Sequence, residues 1–327
     1  MSKIVFSADD MHPAAQAKIH ELGYDLTVIN CDDEVLLENI IKIKPHVLIV
    51  RSTKVLEKHI DAGVKDNLKV IIRAGSGYNT IKFEYAGEKG VAVCNCPGKN
   101  AAAVAELAVG LMIAADRQIP AAHFASLEGK FDKKSFSKCG MGICGKTLGV
   151  LGKGHIAQRV WAAGKALGMK VVCCSRSLTD ELAAELGVVK AENAIELAKV
   201  SDVISVHLPL KEGTKHLCGE EFFAAAKEGA IFIDVSRGGV TDLKALEKAI
   251  DTKGIRAALD VYEGEPKPTK GAMFPEDLAA LCKKCIVATP HVGASTDEAQ
   301  ATTGLFCAEI TQEFFEKGTF LCQVNKF

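Results

Sequence analysis

Three short polar motifs each follow a strand-like apolar run and carry one residue that could take part in acid–base chemistry. They are DVSRGG at 234–239, LDVYEGEP at 259–266 and TPHVGAST at 289–296, with Arg237, Glu265 and His291. Because the carboxyl ends of parallel strands meet at one edge of a sheet, we expect these side chains to converge. A histidine base, a carboxylate that orients it and a cation for a substrate carboxylate are the groups that hydride removal from a 2-hydroxy acid requires. Each residue alone is better explained as an ordinary polar or charged side chain, so the prediction depends on the three together.

The segment GVLGKGHIAQRV at 149–160 contains a turn of the form GxGxxA. Gly152, Gly154 and Ala157 occupy its three positions, after a predicted strand and at the start of a predicted helix, with His155 and Ile156 in the first helical turn. Such a turn brings backbone N–H groups at a helix N-terminus to a pyrophosphate, so we predict a dinucleotide site. The alternative is a glycine-rich strand-to-helix turn without a ligand.

The next strand, VVCC, ends at Ser175, Arg176 and Ser177, where an NAD site usually has an acidic residue for the ribose hydroxyls. A guanidinium flanked by hydroxyls favours the 2′-phosphate of NADP, because Arg offers planar, charged donors to phosphate oxygens. An exposed Arg in an ordinary loop is the alternative explanation. His207, in SVHLPL, ends another predicted strand, and we expect it on the cofactor side of the same sheet edge.

These motifs require parallel sheets, and the order of elements predicts two of them. Residues 1–97 alternate short apolar strands with helical segments, beginning KIVFSA, PAAQAKIHELG and DLTVI, which is the βαβ rhythm of a parallel sheet. A second series begins at Thr147, after two long predicted helices that lie between Ala101 and Glu128 and are separated by Pro120. We predict an α/β protein with two doubly wound, Rossmann-like domains: a dinucleotide-binding domain at 98–290, inserted in a flavodoxin-like substrate domain formed by 1–97 and 291–327. A cleft between them would have hinges near residues 97 and 290.

Composition and charge limit the classes of partner. The chain has 327 residues, 48% of them apolar and 25% charged, and a formal net charge of −1. This is typical of a globular protein and gives no reason to expect a nucleic acid or a membrane surface as partner.

The N-terminal MSKIVFSADD has no signal-peptide core, and no run of about 18 apolar residues predicts a membrane helix, so we expect a cytoplasmic protein. Cys282 and Cys285 have metal-ligand spacing, but no second pair follows at finger spacing, so we expect no metal site.

Over nearly its whole length the sequence resembles the D-isomer specific 2-hydroxyacid dehydrogenases. The general motifs of that family correspond to LGKGHIA, VHLPL, VSRGG, LDVYEGEP and TPHVGAST. The segments VRSTKV at 50–55, IIRAGSGYN at 71–79 and AADRQIPAAHFASLEGKF are similar to the members that act on 3-phosphoglycerate. The resemblance implies His291 as the catalytic acid/base, Glu265 as its partner, and Arg237 as the residue that binds the substrate carboxylate and polarises the carbonyl.

The resemblance also implies the residues that bind cofactor and substrate. Asp260 is expected to contact the nicotinamide carboxamide. The other residues that we expect to bind the cofactor are Gly152, Gly154, His155, Ile156, Ser175, Arg176, His207, Pro209 and Val235. The residues implied for the substrate are Arg51, Ser52, Arg73, Gly75, Ser76 and Asn100, with Arg73, Arg51 and Lys99 as candidates for binding a phosphate group.

The sequence departs from the family pattern at several positions. Ser175 replaces the usual ribose-binding Asp, Asp234 stands where Asn is usual, and Ala103 replaces a hydroxyl residue near the cofactor. The VRSTKV loop that holds Arg51 is one residue shorter than in most of the phosphoglycerate group. The sequence also lacks the C-terminal regulatory module of longer members, so we expect no serine feedback. The family dimerises through its nucleotide domain, and we expect a homodimer that uses the helices around 101–138.

The expected reaction is oxidation of 3-phospho-D-glycerate to 3-phosphohydroxypyruvate by hydride transfer to a nicotinamide cofactor, the first step of serine biosynthesis. The expected cofactor is either NAD, which the resemblance favours, or NADP, which Ser175 and Arg176 favour. One alternative is an NADPH-dependent hydroxypyruvate or glyoxylate reductase. Another is a non-catalytic, dinucleotide-sensing protein similar to corepressors of the same fold, which would bind the cofactor without turnover.

Overall fold

The computed structural model describes residues 3–266 and 271–326. The chain forms two compact units: the first consists of residues 1–100 and 294–327, and the second of residues 101–293. His291, which the predicted division placed with the first unit, belongs to the second. The outer ends of the predicted division, residues 1–2 and 327, lie outside the described residues, as do residues 267–270 of the inserted segment.

The first unit begins with strands and helices in strict alternation. In chain order they are β1 (Ile4–Ser7), α1 (Pro13–Glu21), β2 (Asp25–Val28), α2 (Asp33–Ile43), β3 (Val47–Val50), α3 (Glu57–Val64), β4 (Val70–Arg73), α4 (Phe83–Glu88) and β5 (Ala92–Asn95).

The second unit opens with helices and continues as a second alternating series. Its elements are α5 (Ala101–Arg117), α6 (Ile119–Leu127), α7 (Lys133–Phe136), β6 (Thr147–Leu151), α8 (His155–Ala166), β7 (Lys170–Cys174), α9 (Asp180–Glu185), β8 (Val189–Lys190), α10 (Ala194–Val200), β9 (Val203–Val206), a 3-10 turn (Glu212–Thr214), α11 (Glu220–Ala225), β10 (Ile231–Asp234), α12 (Leu243–Lys253), β11 (Arg256–Leu259), α13 (Glu276–Lys284) and β12 (Val287–Ala288). Helix α14 (Asp297–Lys317) then completes the first unit.

The strands of the first unit form one parallel sheet in the order β2-β1-β3-β4-β5, which is the flavodoxin-like order. Alternate residues of each strand enter different cores. Val47 and Ile49 pack into the cluster that contains Ala308 and Ile310 of α14, whereas Leu48 packs into the cluster on the other face. Because both faces are covered by apolar contacts, the central strand β3 is a continuous apolar run, whereas the edge strand β2 is only partly buried.

Helix α14 packs against α1 at a glycine. A Cβ at Gly304 would lie 2.7 Å from Cβ of Ala15, so glycine lets the two helices approach closely. The 21 residues of α14 mix apolar with charged side chains. No helix in the described part of the chain is both long and apolar enough to span a bilayer.

The described strands of the second unit also pair in parallel, in the order β12-β11-β10-β9-β6-β7-β8. The strand order reverses between β6 and β9, the point at which doubly wound sheets open a crevice for ligands. Phe222, Phe232 and Leu246 are buried in the core beneath one face. The predicted fold class, two doubly wound parallel sheets with the second unit inserted in the first, is confirmed.

Several short elements were not predicted from the sequence. They are the helices α3, α4, α7, α10 and α13 and the two-residue strand β8. The break between the two long predicted helices falls at Gln118, whose φ of 49° is left-handed. Pro120 lies in the first turn of α6 rather than between the helices, because a missing N–H has no cost at that position.

Candidate active site

The polar motifs of the second unit follow the carboxyl ends of neighbouring strands. Arg237 follows β10, Glu265 follows β11 and His291 follows β12, and these strands are adjacent in the sheet. Gly152 follows β6 and His207 follows β9. All five therefore lie along one edge of a parallel sheet, where a ligand can contact several strand ends at once.

His291 and Glu265 are in direct contact. Nδ1 of His291 lies 2.8 Å from Oε1 of Glu265, and the side chains are 45% and 35% exposed. His291 has a φ of 53°, a left-handed conformation that is uncommon for any residue other than glycine. Its N–H donates to the carbonyl of Thr289 at 3.1 Å. With Nδ1 held by a carboxylate, Nε2 is the ring nitrogen suited to exchange a proton with a ligand.

Arg237 lies within electrostatic range of Glu265. Burial is the larger influence and lowers the pKa of its guanidinium, while the carboxylates of Glu265 and Asp234 raise it. Its Nη1 donates to the carbonyl of Ser236 at 2.6 Å. An arginine stays charged despite such burial. Within the second unit, Glu265 thus contacts the ring of His291 and also acts electrostatically on Arg237.

Asp234 anchors the turn that carries Arg237. One carboxylate oxygen accepts from the N–H of Ser236 at 2.9 Å and from its hydroxyl at 2.6 Å, and the other accepts from the hydroxyl of Thr241 at 2.6 Å. Burial raises the pKa of Asp234, and these hydrogen bonds together with Arg237 oppose the rise. Asp234, which stands where Asn is usual, therefore accepts three hydrogen bonds that stabilise its buried carboxylate.

Asp260 holds the loop on both sides of His291. Its Oδ1 accepts from the hydroxyl of Thr289 at 2.6 Å and the N–H of Val292 at 2.8 Å, and its Oδ2 accepts from the N–H of Gly293 at 2.9 Å. Asp260 is only 1% exposed, and burial raises its pKa against the opposing effect of those donors and of His291. The described contacts of Asp260 are thus with the loop that carries His291. A contact with the nicotinamide carboxamide remains a sequence-based expectation.

The turn after β6 contains two glycines, and the absence of a side chain matters for a different physical reason at each. Gly152 has a φ of 108°, and a Cβ there would lie 2.5 Å from the carbonyl oxygen of His207, so the protein itself requires glycine. Gly154 is the N-cap of α8 and provides no side-chain cap. A Cβ at Gly154 would meet no described atom within 4 Å, so the space above the helix N-terminus is open. Open space beside the free N–H groups of a first helical turn fits a pyrophosphate, and Ala157 is buried beneath the turn.

Two cations lie near the end of β7. Arg176 is exposed in the loop after this strand, and the carbonyl of Ser175 accepts from the N–H of Leu178 at 3.0 Å. The N–H of Gly152 donates to the carbonyl of Cys174 at 2.9 Å, so the next residue, Lys153, lies beside the same strand end. Lys153 was not among the predicted site residues, although its position inside the glycine turn was a signal for it. No acidic side chain occupies positions 175–177.

The remaining predicted cofactor residues differ in exposure. Burial lowers the pKa of His207 to about 3, so the ring is neutral at neutral pH. Its Nε2 lies 2.8 Å from the Ser205 hydroxyl, and its Nδ1 has no hydrogen-bond partner among the described residues. Val235 is buried and Pro209 is exposed. In the first turn of α8, His155 is exposed and Ile156 is partly buried.

In the first unit, Arg51 and Ser52 follow β3 and are held by a carboxylate that was not predicted. Asp9 accepts from the N–H groups of Arg51, Ser52 and Thr53 at 2.7, 3.1 and 3.2 Å. Nη1 of Arg51 donates to Oε1 of Gln300 at 3.2 Å. Asp9 follows β1, so a polar residue directly after a strand was the available signal for it.

The other predicted substrate residues gather around the loop after β4. Arg73 ends that strand, and a Cβ at Gly75 would lie 1.6 Å from its Nη1, so the guanidinium occupies the space beside this glycine. The Ser76 hydroxyl donates to Oδ1 of Asn100 at 3.1 Å. Lys99 is stacked over the ring of Phe306, 4.1 Å from the ring centre. The substrate candidates of the first unit therefore form one group held by Asp9 and another around Gly75.

Comparison with known proteins gives a consistent set of relatives. Residues 109–293 match the family profile described as the NAD binding domain of D-isomer specific 2-hydroxyacid dehydrogenases. A D-3-phosphoglycerate dehydrogenase of Methanocaldococcus jannaschii is 41% identical over 312 residues, which cover 94% of this chain and 56% of that protein. The chain thus spans little more than half the length of that relative. A hydroxypyruvate reductase of Thermotoga maritima is 41% identical over 285 residues, 86% of this chain and 88% of that protein.

A solved structure shows the same similarity in three dimensions. The NAD+-bound 3-phosphoglycerate dehydrogenase of Entamoeba histolytica aligns with a TM-score of 0.82 and 28% identity over the full length of both chains.

Proposed function

Because this chain belongs to the D-isomer specific 2-hydroxyacid dehydrogenase family, as its motifs predicted, we propose that it transfers a hydride between C2 of a small 2-hydroxy acid and a nicotinamide cofactor. The observation that carries this proposal is the 2.8 Å contact between Nδ1 of His291 and Oε1 of Glu265. A paired histidine at the edge of a dinucleotide-binding sheet is suited to acid–base chemistry on a hydroxyl group.

Each of the three residues has a separate role in the proposed reaction. In oxidation, neutral His291 accepts the proton of the C2 hydroxyl at Nε2, and Glu265 stabilises the imidazolium that forms. Arg237 binds the substrate carboxylate by charge-assisted hydrogen bonds and so orients C2. The nicotinamide, when bound, supplies the hydride acceptor. In reduction the protonated histidine returns its proton to the oxygen at C2.

We propose 3-phospho-D-glycerate as the substrate, oxidised to 3-phosphohydroxypyruvate in the first step of serine biosynthesis. The support is the set of cations in the first unit, Arg73, Arg51 and Lys99, together with the names of relatives such as the Methanocaldococcus protein. A phosphate ester with a carboxylate carries several negative charges, so its binding to a chain with a net charge of −1 requires a local group of cations.

A hydroxypyruvate or glyoxylate reductase is the second candidate. The Thermotoga relative named hydroxypyruvate reductase is as similar as the Methanocaldococcus protein and has most of its length matched. The contacts of two phosphate candidates also favour this alternative, since Arg51 donates to Gln300 and Lys99 is stacked on Phe306. Both side chains would have to leave these partners to bind a phosphate group.

The pyrophosphate of the cofactor is proposed to lie over Gly154 at the start of α8, with the ribose near Ser175 and Arg176. NAD is favoured by the family and by the NAD+-bound Entamoeba structure. NADP is favoured by the exposed Arg176 and by Lys153 near the same strand end, because both would attract a 2′-phosphate. We therefore propose that both dinucleotides are accepted.

A homodimer is proposed to form through α6 and the segment that follows it. No residue of α6 is buried within the described chain. Phe124 is 65% exposed, Leu127 is 69% exposed and Phe131, beyond the helix, is 96% exposed. Apolar side chains so concentrated on a surface are typical of an interface. The self-complementary contact of a two-fold dimer would bury them.

A cytoplasmic location is part of the proposal. The twelve cysteines are all free thiols, and most are buried or partly buried. Free thiols in this number are typical of a reducing compartment.

The experiment that tests the function is the initial rate of reduction of 3-phosphohydroxypyruvate and of hydroxypyruvate, each with NADH and with NADPH. A large preference for the phosphorylated acid supports the phosphoglycerate activity. Equal or faster reduction of hydroxypyruvate favours the reductase instead. Tight binding of either dinucleotide without turnover of any 2-hydroxy acid would contradict an enzymatic role and favour a dinucleotide-sensing protein. Arg176→Ala should lower the rate with NADPH more than the rate with NADH.

A further inference from the structure

A second histidine–glutamate pair lies at the same sheet edge as His291 and Glu265. Nε2 of His216 lies 2.7 Å from Oε2 of Glu263, with the side chains 40% and 46% exposed. Glu263 and Glu265 are separated only by Gly264, whose φ of 79° is left-handed. The short segment 263–265 therefore carries two carboxylates, each in contact with a different histidine.

His216 also contacts the loop that carries Arg237. Its backbone N–H donates to the carbonyl of Gly239 at 2.8 Å, two residues after Arg237. The N–H of Cys218 donates to the carbonyl of Val240 at 3.2 Å, so the contact continues along the two segments. His216 therefore joins the loop after β10 through its backbone and the loop after β11 through its ring.

The two joined loops are also packed directly against each other. A Cβ at Gly238 would lie 2.1 Å from the carbonyl oxygen of Tyr262, which leaves no space for a side chain. A Cβ at Gly239 would lie 3.8 Å from the carboxyl carbon of Glu263. At this packing distance, a displacement of Glu263 would be transmitted to the backbone beside Arg237.

The backbone of both histidines is in an unusual conformation. His216 and His291 have φ values of 50° and 53°, and among the described residues only Lys44, Gln118 and Cys322 are other non-glycine residues with positive φ. Such conformations persist where surrounding contacts hold them, and they are concentrated at functional sites. For His216, two contacts hold this conformation: the backbone hydrogen bond to Gly239, in the loop that carries Arg237, and the ring contact with Glu263, in the loop that carries Glu265.

We propose that His216 and Glu263 are positioning residues for the catalytic group. Their contact sets the separation between Arg237, which binds the substrate carboxylate, and the Glu265–His291 pair, which moves the proton. Neither residue is assigned a contact with substrate or cofactor. The inference rests on the proposed dehydrogenase function, because only a reaction that uses both groups together depends on their separation.

A double-mutant cycle tests the proposal. His216→Ala and Glu263→Ala should each lower kcat at least about tenfold, since small displacements of catalytic groups are costly, with little change in the KM for the dinucleotide. The double variant should lose no more than either single variant, because one contact is removed in all three. Glu263→Gln should recover most of the activity, because its amide oxygen can still accept from the ring.

The matched control is another exposed ion pair of the second unit. Lys248 and Glu220 lie 3.0 Å apart and are 67% and 70% exposed. Glu220→Ala should leave kcat at the wild-type value. Wild-type kcat in His216→Ala and Glu263→Ala would overturn the proposal. Additive losses in the double variant would also overturn it, since they would mean that the residues act independently.

A measurement without turnover separates this proposal from the proposed function. In an NMR spectrum with labelled histidine, Glu263→Ala should change the ring signals of His291, and Glu220→Ala should not. If no 2-hydroxy acid is turned over but the His291 signals shift, the reaction is misassigned and the positioning contact stands. Unchanged His291 signals in Glu263→Ala would contradict the positioning contact whatever the reaction is.

Discussion

The carboxylate of Glu265 contacts Nδ1 of His291 at 2.8 Å across 26 residues of sequence. Both residues lie in loops at the ends of neighbouring strands, β11 and β12. The contact leaves Nε2 of the histidine as the atom suited to exchange a proton.

Replacement of His291 should remove turnover without removing the cofactor site. His291→Asn is the preferred variant, since Asn tolerates the left-handed φ of 53° at this position. Loss of a general base should lower kcat by about 10²–10⁴-fold. Steady-state kinetics and a dinucleotide titration by fluorescence would measure both properties. Turnover close to wild type would exclude His291 as the acid/base, and His20→Asn, at an exposed position, is the control.

Replacement of Glu265 should slow oxidation. In Glu265→Gln the imidazolium that forms when His291 takes the hydroxyl proton loses its charge partner at 2.8 Å. The transition state in which that charge develops should therefore be less stable, and kcat for oxidation should fall by about tenfold or more. Steady-state kinetics at saturating dinucleotide would measure kcat for the wild type and the variant. A wild-type kcat in Glu265→Gln would mean that the pair is not coupled in the reaction.

Asp260→Asn should destabilise the loop that carries His291. The carboxylate accepts three hydrogen bonds from this loop, and an amide presents an N–H₂ group to donors at one of the two positions. We expect a loss of about 1–3 kcal/mol in the free energy of unfolding, together with a lower kcat. Urea denaturation would measure the stability. Thr289→Val, which removes one of the three bonds, should have the smaller effect, and the reverse order would contradict this role.

His207 should make the fold sensitive to acid. Burial lowers its pKa from the usual 6.5 to about 3, so between these values the unfolded chain binds a proton that the folded protein does not. The contribution of neutral His207 is complete above about pH 6.5 and is lost as the pH falls toward 3, by at most about 1.4 kcal/mol per pH unit. His207→Asn should reduce the slope of unfolding free energy against pH between pH 7 and 4.5. An identical slope in wild type and variant would contradict the burial of a neutral ring.

Charged residues on α6 should weaken the proposed dimer. Phe124→Lys and Leu127→Lys place a charge where an apolar side chain, 65% or 69% exposed in the single chain, would become buried. Light scattering after size-exclusion chromatography should show a dimer for the wild type and a monomer for the double variant. Ile41→Lys, at a residue that is 54% exposed on α2, is the control and should remain dimeric. A monomeric wild type would exclude the interface.

Much of the framework could be predicted because it depends on local patterns. The apolar runs at β1, β3, β4 and β6 are continuous, as both faces of their sheets are covered, and their flanking helices follow the alternation that a parallel sheet requires. Short elements such as β8 and α4 could not be predicted, since two to six residues carry too little periodic pattern. β8, for example, is defined as a strand by its pairing with the longer β7.

Part of the site was missed for a related reason. Asp9 binds the N–H groups of residues that lie 42 to 44 positions later in the chain, and only the pairing of β1 with β3 brings them together. His216 meets Glu263 across 47 residues, and the strands that precede them, β9 and β11, are brought to the same edge by β10 between them. No spacing rule connects such residues, because the contact depends on which strands are neighbours.

The sequence by itself determined that polar residues follow the ends of buried strands, and parallel pairing then places them along one edge. Residue types and spacing did not determine which carboxylate meets which histidine, and the pairing of Glu265 with His291 was implied only by the family resemblance. Asp260, Glu263 and Glu265 lie within six residues, yet Asp260 binds the backbone around His291, Glu263 contacts His216 and Glu265 contacts the His291 ring. The tertiary structure made that choice, because the left-handed turn at Gly264, with a φ of 79°, lies between Glu263, which contacts His216, and Glu265, which contacts His291.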